Sequence, residues 1–402
     1  MNYKNKKFID EISFLDKKVI MRVDYNVPIK DGKITSTKRI DATIKTIKKI
    51  INDGGKLILL SHLGRIKSAD DLPKKSLKIV AQKLQETLGQ PVIFINKTRG
   101  QEVEEAVAKL EKGQILMLEN TRFEDLNNKA ESKNNPELGK YWASLADVFI
   151  NEAFGTLHRE HASNAGIAQN ISESAIGYLV KYELDALAKV VDDPKRPFVA
   201  IIGGAKISDK IGVLSSLLEK ADKVLIGGGM SYTFKKALGY EIGISICEED
   251  KLDLAQGLLE KYRDKIILSI DAACAREFAD VEPIYFKDNP LEIAKDAEGM
   301  DIGPLTIRLF KNHLQGAKTI LWNGTLGVAE FKNFSIGTNQ IARIIASIPN
   351  CYSVIGGGDS VAAIEAQGIQ KHFSHISTGG GASITFIEKG DLIGLQYIQD
   401  KN

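Results

Sequence analysis

Four polar segments in the first half of the chain carry the side chains best suited to chemistry: Arg22-Val23-Asp24-Tyr25-Asn26, Ser61-His62-Leu63-Gly64-Arg65, Glu119-Asn120-Thr121-Arg122-Phe123 and Asn151-Glu152-Ala153-Phe154-Gly155. Arginine recurs in them, and Arg39 and Arg159 lie nearby in sequence. A guanidinium fork matches carboxylate and phosphate oxygens two at a time, so arginines converging on one cleft make a site for a small, highly charged anion. Taken singly, each arginine is better explained as a surface ion pair. Four together favour the anion site.

The second half carries a different chemistry: Gly203-Gly204-Ala205-Lys206, Gly227-Gly228-Gly229, Asn323-Gly324, Gly356-Gly357-Gly358-Asp359 and Gly379-Gly380-Gly381. Glycine lets backbone N–H groups approach phosphate oxygens, and a following helix adds its positive end. Three separate triple-glycine turns suggest a nucleotide. Neither GxxxxGK[ST] nor GxGxxG occurs, which argues against an ordinary P-loop enzyme and against an NAD enzyme. Asp359, an acid beside such a turn, suits either Mg²⁺ held on a polyphosphate or a helix N-cap, and the two roles are compatible. His158 and His161 have no further Cys or His close by to complete a metal site, so substrate contact or helix capping is the better reading.

These segments need a scaffold, and the runs preceding them supply it. Val19–Val23, Leu57–Leu60, Val92–Ile95, Ile115–Leu118, Val148–Ile150, Phe198–Ile202, Val224–Ile226, Ile266–Ile270, Thr319–Trp322 and Tyr352–Ile355 read as buried strands. Between them lie helical spacings such as Ile40, Ile44, Ile47 and Ile51, or Ile79, Ala81, Leu84 and Leu88. Alternating strand and helix implies parallel sheets covered on both faces, with ligands outside the carboxyl ends of the strands. So many core strands, with Asp192-Asp193-Pro194 and Pro197 breaking the middle, predict two doubly wound, Rossmann-like α/β domains joined by a helix over Tyr182–Val191 and a hinge.

The length of 402 residues accommodates two such domains, and 43% hydrophobic with 26% charged residues excludes a disordered or fibrous chain. Three scattered cysteines give neither a disulfide framework nor zinc spacing, so a reducing cytoplasm fits. The N-terminal residues lack the apolar stretch of a signal peptide, and no run reaches membrane-spanning length. Net charge is only +2, yet residues 1–100 hold 22 Lys/Arg against 10 Asp/Glu, which attracts anions. Nucleic acid is one candidate, but the basic stretch lacks interleaved aromatics or a recognition motif, and a small phosphorylated substrate explains it equally well.

Along nearly its whole length the chain resembles phosphoglycerate kinases. The resemblance rests on Arg22–Pro28, Ser61–Arg65, Glu119–Phe123, Gly155–Ser163, Gly203–Lys210, Trp322–Gly324, Gly356–Asp359 and Ser377–Ser383, which occur in the family's order. It implies a phosphoglycerate-binding domain over 1–181, with a tail at 392–402 packing back on it. It further implies an interdomain helix and hinge over 182–197, and a nucleotide-binding domain over 198–391. The acid substrate would be met by Asp24, Tyr25, Asn26, Arg39, His62, Leu63, Gly64, Arg65, Arg122 and Arg159. ADP or ATP would be met by Gly204, Lys206, Lys210, Gly228, Gly229, Asn323, Glu330, Gly357, Gly358, Asp359 and Ser360. Arg39 and Lys206, with amides at Gly358 and Gly381, would stabilise the transferred group, and Asp359 would hold Mg²⁺ through the nucleotide phosphates. Thr325, Ala329 and Thr385 depart from the family's usual Pro, Phe and acid; the first two flank the implied ribose and adenine pocket.

The implied reaction is reversible phosphoryl transfer from 1,3-bisphosphoglycerate to Mg-ADP, giving 3-phosphoglycerate and ATP in glycolysis and gluconeogenesis, by a cytoplasmic monomer with no nucleic-acid or membrane partner. A site split between two domains would have to close, with Tyr182–Val191, Asp192–Pro197 and Gly379–Gly381 as hinge elements. The competing readings are an inactive phosphate- or nucleotide-binding protein of the same fold and, on charge alone, a nucleic-acid-binding protein.

Overall fold

The computed structural model describes residues 2–401; Met1 and Asn402, the outer ends of the expected first domain and of its tail, lie outside the described residues. The chain divides into two compact units, Met1–Asp185 with Asp391–Asn402, and Ala186–Gly390. The division falls inside one continuous helix, Tyr178–Val191, which starts about a turn earlier than its apolar spacing suggested. Glu152 explains that start: its carboxylate accepts from Leu179 N at 2.9 Å and Val180 N at 3.3 Å, while Thr46 Oγ1 accepts from Tyr178 N at 3.2 Å. The first helical N–H groups thereby find acceptors.

In the first unit β1 (Lys18–Val23), β4 (Lys56–Leu60), β5 (Ile93–Phe94), β6 (Ile115–Met117), β7 (Val148–Glu152) and β8 (Ser174–Ile176) form one parallel sheet in the order β5-β6-β4-β1-β7-β8. A small hairpin of β2 (Ile29–Lys30) and β3 (Lys33–Ile34) follows β1. The central strands are buried on both faces, as unbroken apolar runs require. Helices cover them through faces such as Ile47, Ile50 and Ile51 on one helix and Val80, Ala81 and Leu84 on another. The second of these ends where Gly89 turns left-handed (φ 72°) and returns its N–H to Gln85. The edge strand β8 is covered by chain ends: Gln399 N donates to Ser174 Oγ at 3.0 Å, Ile176 N to Lys7 O at 3.0 Å, and Lys6 Nζ to Ile398 O at 2.9 Å.

The second unit repeats the plan. β9 (Phe198–Ile202), β10 (Lys223–Ile226), β11 (Ile266–Leu268), β14 (Thr319–Asn323), β15 (Tyr352–Gly356) and β16 (His375–Ile376) form a parallel sheet ordered β11-β10-β9-β14-β15-β16. An antiparallel pair, β12 (Ala272–Ala275) and β13 (Glu298–Ile302), stands apart from it. In each sheet the chain starts at a central strand, β1 or β9, and fills one side before the other, although in the first sheet it reaches the edge strand β5 before β6. The reversal leaves a crevice at the carboxyl ends of β1 and β7, and of β9 and β14, where ligands of such sheets bind. Among the described residues no helix is long and apolar enough to cross a membrane.

Candidate active site

In the first unit Arg22 stands in register with Leu60 of β4 and Asn151 of β7, so the loops leaving these strands emerge side by side. Asp24 follows β1 directly and accepts from Arg39 Nη1 at 2.6 Å, with His62 Nδ1 at 3.8 Å. Burial opposes its charge, but His62, Arg39 and Arg22 outweigh burial and hold its pKa below the usual carboxylate range. Arg22 itself is fully buried: Nε donates to Ser163 Oγ at 2.7 Å, and Nη2 lies 3.3 Å from His62 Nδ1 and 3.9 Å from Glu131 Oε1. It braces the loops beneath the pocket.

Arg122, Arg159 and Arg65 share one electrostatic field. Burial lowers the Arg159 pKa, and the charges of Arg122 and Arg65 lower it further. Asn120 opens the turn that carries Arg122, its Oδ1 accepting from Arg122 N at 3.0 Å. Arg122 Nη1 donates to Ser132 Oγ at 2.9 Å and Asp125 Oδ2 at 3.2 Å, while the buried Nε finds no partner. Burial pushes His62 down to about 3, despite Asp24, and pushes His161 to about 2 together with Arg122, Arg22 and Arg159. Both imidazoles are neutral near pH 7, so the pocket is built around fixed cations and not around a proton shuttle.

Asn26 Oδ1 accepts from Gly64 N at 2.8 Å, locking the loop after β1 to the loop after β4. Tyr25 and Leu63 are buried beneath, their N–H groups taken by Ser61 Oγ at 2.8 Å and Asn120 Oδ1 at 3.2 Å. Glu131 and Ser163, which no motif in the strand-end segments pointed to, are also buried here, Ser163 N donating to Glu131 Oε2 at 2.9 Å.

In the second unit the glycine turns interlock: Gly203 N donates to Asn323 O at 3.0 Å, Gly204 N to Thr325 O at 2.9 Å and Gly228 N to Leu326 O at 3.1 Å. Gly324 (φ 91°) allows no side chain, because a Cβ there would lie 2.3 Å from both Gly203 O and Lys210 Nζ. Lys210 Nζ donates to Gly203 O at 2.7 Å and Asn323 Oδ1 at 2.8 Å, and burial lowers its pKa to about 8 against the pull of Asp359 and Asp209. Around Gly357 (φ 89°) two donors converge without partners. Its hypothetical Cβ would lie 3.5 Å from Asn323 Nδ2 and 3.7 Å from Ser360 Oγ, both buried and unsatisfied. The helix Gly358–Ala366 begins at this point, with Asp359 exposed in its first turn. The turn is shaped to receive anionic oxygens. The Ser377–Gly381 turn leaves the adjacent strand, since β16 pairs with β15.

Beside these turns a cavity of about 490 Å³ is lined by Gly204, Gly228, Gly229, Glu330 and Asp359. Its apolar wall of Ile246, Phe278, Met300, Leu326 and Val328, with Tyr232 and Glu298, was not legible as a site in sequence. Apart from Glu298 these are ordinary hydrophobes and a tyrosine, scattered from Tyr232 to Val328. Lys206 is exposed on the loop after β9, and Glu248 anchors that loop by accepting from Ile207 N at 2.6 Å and Ser208 N at 3.2 Å.

A family model of phosphoglycerate kinase matches residues 9–390. The chain belongs to the phosphoglycerate kinase family. It is 72% identical over 400 residues to the phosphoglycerate kinase of Mesomycoplasma hyopneumoniae, covering 100% of this chain and 99% of that one. It is 54% identical over 396 residues to that of Enterococcus faecalis, covering 98% and 100%. Among solved structures, phosphoglycerate kinase from Coxiella burnetii superposes with a TM-score of 0.86 at 36% identity, and that from Pyrococcus horikoshii with 0.83 at 30%, each covering 98% of both chains. Phosphoglycerate kinases are phosphotransferases with a carboxyl acceptor, so the chain is an enzyme of α/β two-domain architecture. An inactive binding protein of the same fold has no support.

In this phosphoglycerate kinase fold Asp301, a buried residue of β13, props the cavity from behind. Its carboxylate accepts from Gly337 N at 2.6 Å and Ile302 N at 2.8 Å, and a Cβ on cavity-lining Gly327 would meet it at 2.3 Å. Burial raises its pKa to about 8. A carboxyl protonated in the folded state and ionised in the unfolded chain stabilises most below the unfolded pKa, and that stability drains away as pH rises to about 8. Asp301→Asn, which cannot ionise, should therefore gain melting temperature relative to wild type between pH 5 and 8. Parallel thermal melts with a constant offset across that range would refute the assignment.

Proposed function

We propose that the chain catalyses reversible transfer of the acyl phosphoryl group of 1,3-bisphosphoglycerate to ADP, yielding 3-phosphoglycerate and ATP. The observation that carries this reading is the cationic pocket of the first unit. Burial and the nearby charges of Arg122 and Arg65 lower the Arg159 pKa, and the buried Arg122 Nε lacks an acceptor, so cations are held together with too few anions to balance them. A bound phosphate and carboxylate would supply the missing charge. Arg65, Arg122 and Arg159 take the distal phosphate in this reading, with Asp24, Asn26 and His62 orienting the glycerate carbon chain. Tyr25, Leu63 and Gly64 shape the loops that hold them.

The nucleotide belongs to the second unit. Its base and ribose fit the 490 Å³ cavity, with Glu330 at the ribose and Gly204, Gly228 and Gly229 against the ring system. Its phosphates reach the Gly357 turn, where Asn323 Nδ2 and Ser360 Oγ have no partners and the Gly358 amide opens the following helix, with Lys210 holding the turn through Gly203 O and Asn323 Oδ1. Among the described residues no group of three or more His, Cys, Asp or Glu could hold a metal. A single exposed carboxylate, Asp359, suits Mg²⁺, which takes one or two carboxylates and leaves its other positions to phosphate and water. Bound there, Mg²⁺ would neutralise phosphate charge.

The chemistry asks little of the chain beyond position and charge. In the reverse direction the nucleophile is a carboxylate, ionised at neutral pH, so no base is needed; neutral His62 and His161 agree with that. Arg39 and Lys206 then stabilise the charge spread over the transferred group, helped by the amides of Gly358 and Gly381. The reading is of a monomer, working in the cytoplasm where glycolytic substrates are found. The test is a coupled assay of ATP formation from 1,3-bisphosphoglycerate and ADP with and without Mg²⁺. Turnover that depends on Mg²⁺ is expected; no ATP under either condition would overturn the reading.

A further inference from the structure

Glu131 lies on the turn before the helix Pro136–Ser144 and is fully buried beneath the cationic pocket of the first unit. Its backbone O accepts from Ala162 N at 2.9 Å, and its side chain closes on Ser163: Oε2 accepts from Ser163 N at 2.9 Å and Oε1 from Ser163 Oγ at 2.5 Å. Both oxygens are acceptors, as those of an ionised carboxylate are. From there a line of polar groups runs up to the pocket. Ser163 Oγ accepts in turn from Arg22 Nε at 2.7 Å, and Arg22 Nη2 lies 3.3 Å from His62 Nδ1. His62 Nδ1 stands 3.8 Å from Asp24 Oδ1, and Asp24 Oδ2 accepts from Arg39 Nη1 at 2.6 Å.

The charges along this line decide what Asp24 can do. Arg22 is a guanidinium with no exposed surface, and leaving such a charge uncompensated is costly. Glu131 opposes that cost most strongly and Asp24 next. Burial raises the Glu131 pKa, while Arg22 and the Ser163 donors work against the rise. Asp24, however, is also the partner of Arg39. Asp125, which acts on Glu131 from the other side, is already taken by Arg122 Nη1 at 3.2 Å and Ser132 N at 2.8 Å. His161 Nδ1 stands 3.9 Å from Glu131 Oε1, but the imidazole is neutral near pH 7 and cancels none of its charge. Without Glu131, Arg22 would draw Asp24 towards itself and Arg39 would lose its hold.

We propose that Glu131 is a positioning residue for the phosphoryl transfer: through Ser163 it neutralises Arg22 from below, which leaves Asp24 to orient Arg39. The inference rests on the reaction proposed above and on the part that Arg39 takes in it. Glu131 itself has no exposed surface, so its influence passes entirely through Arg22 and Asp24.

Two variants of the full chain separate charge from packing, each assayed well below its melting temperature. Glu131→Gln keeps the size and loses the charge, whereas Glu131→Asp keeps the charge and loses a methylene. Glu131→Gln should lower kcat about tenfold, within the range of couplings found inside one hydrogen-bonded network, and Glu131→Asp should lower it less. The affinity for 3-phosphoglycerate, read by calorimetry, should hold or tighten in Glu131→Gln, because a negative charge has been removed from beneath an anion site. A merely structural role predicts the opposite: Glu131→Asp is the worse variant, and affinity falls along with kcat. Either of those results would overturn the proposal, as would a Glu131→Gln kcat within about twofold of wild type. Should Glu131→Gln fail to fold, Ser163→Ala decides, since it cuts the link to Arg22 Nε with both charges kept; kcat should fall with affinity held, and an unchanged kcat would overturn the proposal. A wild-type chain without turnover sinks the proposed reaction, whereas wild-type turnover that these variants leave unaltered sinks this inference alone.

Discussion

Lys206→Ala lowers kcat by about two to three orders of magnitude, the loss expected when one preorganised donor to the transition state is removed, and leaves 3-phosphoglycerate affinity unchanged. The argument is one of placement. Lys206 is exposed on the loop that leaves the central strand β9, beside the crevice where the sheet reverses direction. Its loop is held by Glu248 through Ile207 N and Ser208 N, so the lysine is presented from a fixed backbone. Lys210, a few residues on, is already committed to Gly203 O and Asn323 Oδ1 and is half-buried, which suits it to organising the turn. The free cation is the one that can follow charge onto the transferred group. Steady-state kinetics in both directions check this, and a kcat within about threefold of wild type would remove Lys206 from that role.

Arg122→Ala and Arg159→Ala should each weaken 3-phosphoglycerate binding about ten- to a hundredfold, as expected when a hydrogen bond to a charged group is lost, with ADP affinity unaltered. Arg122 carries the stronger case. Its backbone is capped by Asn120, its Nη1 is held by Ser132 and Asp125, and its Nε remains buried and unsatisfied. Arg159 Nε is tied to His158 Nε2 at 3.1 Å, leaving its terminal nitrogens for a ligand. Calorimetric titration of each variant with each ligand decides the matter, with thermal melts to confirm folding. Equal losses for both ligands would defeat the division of labour between the units.

Much of this was legible in the residues alone. Each of the ten apolar runs contains a strand, because a parallel strand buried on both faces must be apolar along its length; at the sheet edges the expected burial failed, β5 leaving Ile93 exposed and β11 only partly covered. The segments after those runs are where the site is proposed, because an open parallel sheet binds at its carboxyl ends. What escaped in the two parallel sheets were β8 and β16, strands of three and two residues at the outer edges, and outside them the antiparallel pairs β2–β3 and β12–β13. β8 is covered by Lys7 and Gln399, near opposite ends of the chain, a pairing that no local pattern encodes.

Residue types and spacing therefore determined the family, the two parallel sheets and the identity of the polar loops, since those depend on periodicity and on motifs a few residues long. Only the tertiary structure decided which charged groups are buried and paired and which keep an unsatisfied nitrogen. Arg22 and Arg122 look alike in sequence, yet one is fully buried on Ser163 and the other keeps an unsatisfied nitrogen. Lys235 is one lysine among many until the fold buries it to 1% exposure with no hydrogen-bond partner for its Nζ. Burial and pairing are properties of distant segments brought together, and desolvation, which sets the charge and availability of each group, acts only once they meet.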